Sequence, residues 1–156
     1  MIDAHRRYVN RETAVSVVIN AVLSLLACWI VFGRQGLGAP DARAFAFDFL
    51  PQAFILSAMS TLLPGLVTRA RVRAGAVPPL GSGPRFLPTS LLLRAFVLAA
   101  AALCVGGGAA LLLTLVLWKG PLAMGTVYGI KLVFGVLLAI PVTRLALRAA
   151  LADPPR

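Results

Sequence analysis

Four apolar runs, each about 20 residues long, constrain this chain more than any other feature. They cover residues 13–32, 49–68, 95–118 and 122–143. A run of that length crosses a hydrocarbon core of about 30 Å as a helix rising about 1.5 Å per residue. Backbone polar groups in lipid must be paired within a helix or around a closed barrel, and none of the runs alternates as a barrel strand does. Composition agrees: 60% of the residues are hydrophobic and 13% charged, against roughly 45–50% and about 25% in an average soluble domain. The mean hydropathy is +0.91. The sequence therefore predicts an all-α integral membrane protein. It is a four-transmembrane-helix bundle forming one domain over 13–156, preceded by an arm over 1–12.

The net charge of +10 would suggest nucleic acid in a soluble protein. Here the cations lie between the apolar runs, which excludes that reading. Arg6, Arg7, Arg11, Arg69, Arg71, Arg73, Arg85, Arg94, Arg144, Arg148 and Arg156 fall on one side, and Arg34, Arg43 and Lys119 on the other. Cytoplasmic loops carry the excess of Arg and Lys. Both termini and the loop over 74–89 are thus expected to face the cytoplasm, in a bacterial inner membrane. Trp29 and Trp118 then meet the outer interface, where indole rings prefer to sit. Arg6 and Arg7 precede an apolar run as in a leader peptide, but the run exceeds a signal core and no clean small-x-small site follows, so a retained helix is expected.

Pro78, Pro79, Gly81, Gly83, Pro84 and Pro88 deny regular structure to the long loop. Val67-Thr68-Arg69 and Val142-Thr143-Arg144 each close an even-numbered span behind a proline, Pro64 or Pro141. A duplicated hairpin would give that pattern, although the first and third spans share no similarity. The two cysteines, Cys28 and Cys104, lie inside spans and read as small packing residues.

Lys131 is the residue most out of place. It sits about 14 Å below the outer boundary, where insertion costs about 2.5–3.5 kcal/mol. Ranked by depth, its expected neighbours are Asn20, Ser24 and Tyr128, forming one polar intramembrane cluster. Asp48 is expected instead to cap the second helix, where an acid suits the N-terminal dipole. Gly125 and Gly129 form a G-x-x-x-G pair that allows close helix approach, and Ala99, Ala102, Gly106 and Ala110 line a face of the third span. Gly106-Gly107-Gly108 reads as a bend or a tight contact. Arg69, Arg71 and Arg73 are placed to meet anionic headgroups at about 1 kcal/mol each.

No Walker, dinucleotide or zinc motif occurs, nor a nucleophile beside a base. The expectation is a protein without catalytic activity, metal or cofactor. Minimal loops, small-residue faces and a lysine with no acid in its own spans suggest a non-catalytic accessory or assembly subunit of a larger membrane complex. Its partners would be the lipid bilayer and another membrane protein, or copies of itself. The alternative is an oligomeric transporter or channel for a small or anionic solute, using the lysine site.

Overall fold

The computed structural model describes residues 2–32, 41–81, 83–84, 86–120 and 123–153. Arg34, Arg85 and Arg156 of the charge count, and Leu122 at the expected start of the fourth run, lie outside the described residues. Among those described, all regular structure is helical. The elements are α1 (Ile2–Phe32), α2 (Ala42–Phe47), α3 (Phe49–Arg73), α4 (Leu91–Ala102), a π-helical turn (Leu103–Gly107), α5 (Gly108–Leu117) and α6 (Met124–Leu151). They make four helical rods long and apolar enough to cross a membrane: Ala4–Phe32, Ala42–Arg73, Leu91–Leu117 and Met124–Leu151.

Three of these rods outrun the apolar runs. The expected arm over 1–12 is the first turns of α1, because nothing between Ile2 and Thr13 breaks a helix. The second rod begins at Ala42 rather than near 49. Asp48 has helical φ and ψ of −65° and −16°. Its N–H donates to Ala44 O at 3.2 Å, and its own carbonyl accepts from the Gln52 N–H at 3.3 Å, so α2 runs almost straight into α3. The fourth rod continues past 143 to Leu151. Charged residues end a hydropathy window long before they end a helix, which accounts for all three differences.

The rods pack in the order α1, α6, α3, α4, with α6 in contact with both α1 and α3. One end of the bundle, here the basic end, gathers the start of α1, the loop after α3 and the end of α6. Gly75, at φ +71°, turns the chain out of α3. The loop then folds back: the Leu80 N–H donates to Leu151 O at 2.7 Å, and Val77 and Leu80 pack on Val9, Leu147 and Leu151. Ser90 starts α4, its side chain accepting from the Leu93 N–H. Trp29 and Trp118 lie at the opposite, far end, where Cys28, Phe32, Phe45, Phe49 and Val127 form a buried cluster.

The bundle is inside out relative to a soluble one. Val18, Val22, Leu26 and Val15 of α1 are exposed, whereas its buried face is Val9, Thr13, Ser16, Asn20, Ser24, Cys28 and Phe32. Steps of three and four residues put these on one stripe. The hydroxyl of Thr13 folds back on its own helix, donating to Val9 O at 2.7 Å. Cys28 is buried as expected of a packing residue, but Cys104 is exposed on the π-helical turn.

Small residues mark close contacts, though not where the G-x-x-x-G pair suggests. Gly125 and Gly129 are exposed, and a Cβ on either would meet nothing within 4 Å. They form no helix contact among the described residues, because the buried stripe of α6 runs through Val127, Lys131, Gly135 and Ala139. The tight glycine of α6 is Gly135, whose added Cβ would collide with Ser24 Oγ and lie 3.3 Å from Ser24 Cβ. In the third rod Ala99 and Ala102 are buried and Ala110 packs against the far-end cluster. A Cβ on Gly106 would come within 3.0 Å of Leu138 Cδ1, and one on Gly107 within 3.2 Å of both Ala53 Cβ and Phe49 O. The triple glycine therefore serves both readings, a π-helical bulge and a close approach to α3.

These two kinds of glycine predict opposite outcomes. Gly135→Ala is expected to destabilise by about 1–3 kcal/mol, since the Ser24 hydroxyl must turn from its partner. Gly125→Ala should instead be neutral or stabilise by up to about 1 kcal/mol through helix propensity. Thermal unfolding of the purified variants in detergent checks both.

Candidate functional site: a buried polar seam

Ser16, Asn20 and Ser24 on α1, Gln52, Ser57, Ser60, Thr61 and Thr68 on α3, and Lys131 and Thr143 on α6 are all buried. Each stripe is the inner face of its helix, so the three meet along the bundle axis as a seam of polar groups. Its layers follow the chain spacing. At the basic end the Tyr8 and Thr68 hydroxyls are 3.0 Å apart, and Arg71 Nη1 donates to Glu12 Oε1 at 2.6 Å. One layer in, the Ser16 and Thr143 hydroxyls are 2.8 Å apart. Thr68 and Thr143, the threonines of the two Val-Thr-Arg segments, thus both face α1.

Asn20 occupies the next layer. Its Nδ2 donates to Ser16 O at 2.7 Å and to Ser60 Oγ at 2.8 Å. Beyond it Gln52 Nε2 donates to Ser24 Oγ at 3.2 Å and to the carbonyl of Lys131 at 3.4 Å. Below Ser57, Thr61 Oγ1 donates to Ser57 O at 2.8 Å, bonding α3 to itself rather than to a neighbour.

Lys131 closes the seam toward the far end. Its side chain is 1% exposed, and Nζ stands 2.8 Å from Asp48 Oδ2. The approach is that of an ion pair rather than an aligned hydrogen bond, so Nζ keeps unused donors. Phe49 lies with its ring centroid 3.7 Å from Nζ, and Phe45 4.9 Å away. Aromatic faces attract a cation within about 6 Å. The lysine is thus held by one carboxylate and two rings, all delivered by α2 and the start of α3.

Asp48 is therefore not the helix cap anticipated. Its side chain makes no capping hydrogen bond. Because the second rod starts at Ala42, Asp48 lies inside it, at the depth of Lys131. Of the expected neighbours, Ser24 reaches Lys131 only through Gln52. Asn20 lies a layer toward the basic end, bonded to Ser16 and Ser60. Tyr128 is half-buried against the far-end aromatic cluster, with no hydrogen bond among the described residues. Gln52 and Asp48 are the two members that depth ranking overlooked. A polar residue every three to five positions on an otherwise apolar helix, as at Asp48, Gln52, Ser57 and Ser60, is the signal the sequence offers.

Three buried polar atoms of the seam have no hydrogen-bond partner among the described residues: Asn20 Oδ1, Gln52 Oε1 and Ser57 Oγ. Unsatisfied buried groups of this kind are uncommon and call for an occupant such as water. A crevice of about 100 Å³ beside Asn20, between Glu12, Ile19, Met59 and Pro64, opens between α1 and α3. Asp48, with 21% of its side chain exposed, borders a far-end hollow of about 480 Å³ lined by Phe32, Phe47 and Pro51. Among the described residues, no three His, Cys, Asp or Glu side chains converge to hold a metal ion.

The arginines expected at headgroups are mostly engaged within the protein. Arg69 Nε and Nη2 donate to Asp153 Oδ2 at 2.8 and 2.6 Å, and Nη2 also to Thr89 O. Arg71 is taken by Glu12. Arg73 alone of the three is exposed without a partner among the described residues. Arg94, which the charge count treats as one more basic-end arginine, is buried at 1% exposure. Its Nη2 and Nη1 donate to Asp153 Oδ1 and Oδ2 at 2.7 and 3.0 Å, and its Nε to Pro88 O at 2.9 Å.

No family model, curated protein sequence or solved structure matches the chain.

Proposed function

We propose that this chain is a multi-pass protein of a bacterial inner membrane, basic end toward the cytoplasm, that acts as an oligomeric transporter or channel for a small or anionic solute. The observation that carries the reading is the ion pair of Lys131 and Asp48 at one end of an otherwise buried polar seam. Ionisable groups inside membrane spans are costly and usually line a pathway for an ion or substrate. The subunit reading leaned on a lysine that needed its acid from another protein; an acid in the same chain removes that need.

The chemistry is a competition for the ammonium. Asp48 borders the far-end hollow, so an anion entering there can exchange with its carboxylate at Lys131 Nζ. Beyond that point the hydroxyls and amides of Ser24, Gln52, Asn20 and Ser60 supply successive hydrogen-bonding stations. The open acceptors on Asn20 and Gln52 suit water travelling with the solute.

The test is flux into sealed liposomes carrying the purified protein, read with a chloride-quenched dye and, separately, a pH-sensitive dye. Lys131→Met is expected to lower flux of the conducted ion at least about tenfold, equivalent to about 1.4 kcal/mol, with oligomeric state unchanged. Equal flux in the wild type and the variant refutes the reading. One observation favours the accessory or assembly subunit as a second reading: the open Gly125/Gly129 face, where another helix can approach closely. A heteromeric partner of fixed stoichiometry in intact-complex mass spectrometry from nanodiscs, with no flux by the wild type, would establish that alternative.

A further inference from the structure

At the basic end, separate from the seam, a cleft of about 730 Å³ lies between the first turns of α1, the last turns of α6 and the folded-back loop. Its rim carries Arg6, Arg144 and Arg148, with His5 beside them; its floor is apolar, including Val9 and Leu151, both buried. The wall on the loop side is fixed in place. Leu80 N–H is bonded to Leu151 O, and His5 Nε2 is 2.9 Å from Pro78 O.

The use of acids around this end separates these arginines from their neighbours. Glu12 pairs with Arg71, and Asp153 pairs with both Arg69 and Arg94. Among the described residues no carboxylate lines the cleft. Among the described residues Arg144 has only a 3.4 Å contact with Asn10 Oδ1, and Arg6 and Arg148 form no ion pair. Positive-inside orientation accounts for arginines at this end, but not for three unneutralised ones converging on one cavity from two helices. Guanidinium forks match phosphate oxygens, and the volume falls within the range of about 300–1,000 Å³ common to small-ligand sites.

We infer that this cleft is a binding site for a phosphate-bearing anion with an apolar portion, the phosphate on Arg6, Arg144 and Arg148 and the apolar part on Val9 and Leu151. An anionic phospholipid and a soluble phosphate ester share this chemistry. The site is independent of the transport reading, since it uses none of the seam residues.

The experiment compares wild type, Arg144→Gln/Arg148→Gln, Arg6→Gln and the control Arg73→Gln, purified in detergent and delipidated. Native mass spectrometry measures retained phosphatidylglycerol against phosphatidylcholine, and calorimetry measures glycerol 3-phosphate. Preferential binding of phosphatidylglycerol, at least about tenfold weaker in the double variant and severalfold weaker in Arg6→Gln, supports a lipid occupant. The same pattern with glycerol 3-phosphate alone supports a soluble one. Arg6→Gln leaves α6 untouched, so it reads the site even where the double variant fails to fold. Absence of binding to both probes, or equal weakening by Arg73→Gln, overturns the inference.

Discussion

Asp153→Ala is expected to loosen the whole basic end, lowering stability by about 3–5 kcal/mol. The carboxylate receives both terminal nitrogens of Arg94 and two from Arg69, so it ties the end of α6 to α4 and to α3. Arg94 sets the magnitude. It is almost wholly buried, and without Asp153 its only remaining partner among the described residues is Pro88 O. An unpaired buried charge costs more than the pair contributed. Arg69 adds less, because 22% of its side chain is exposed and can turn to water. Denaturant unfolding in detergent reads the loss. The cause is separated by Arg94→Met/Asp153→Ala, which removes the stranded guanidinium and should recover most of the stability. A double variant no better than the single one would locate the loss in the contacts themselves.

Asp48→Asn is expected to be the most damaging change at the far end, and more so than Lys131→Met. The asymmetry follows from exposure. Removing the carboxylate leaves an ammonium at 1% exposure with two aromatic rings and no anion. Removing the ammonium leaves a carboxylate that already borders an open hollow. The loss in Asp48→Asn should reach about 3 kcal/mol, the low end for a broken buried pair, because the rings continue to hold the cation. Asp48→Asn/Lys131→Met should be more stable than Asp48→Asn alone. Unfolding free energies of the three variants check the order, and a Lys131→Met loss exceeding that of Asp48→Asn would contradict it.

Much of the seam was written in α1. Ser16, Asn20 and Ser24 recur every four residues on an apolar helix, which singles out an inner face before any neighbour is known. Lys131 was equally visible, since a charge inside an apolar run needs no tertiary information to be noticed. Its partner was not. Asp41, Arg43 and Asp48 lower the local hydropathy, so hydropathy alone starts the second span after them and puts Asp48 at its rim. In the folded chain the backbone stays helical from Ala42, and the same residue lies more than a turn inside the rod. Gly125 and Gly129 misled for a related reason: a spacing motif says that two small residues share a face, not which face is covered.

The number of rods, their approximate extent and the segregation of positive charge are legible in the chain alone. Each of these is a property of residues close in the chain, set by the transfer of side chains and backbone between water and an apolar medium. That Lys131 meets Asp48, and that Gln52 joins Ser24 to α6, emerges only when the helices pack. Packing likewise pairs Asp153 with two arginines and leaves three others around a cleft. Those outcomes depend on the rotation and relative depth of helices distant in sequence. An ion pair or hydrogen bond is made or lost within about an ångström of its optimum, far finer than hydropathy can resolve.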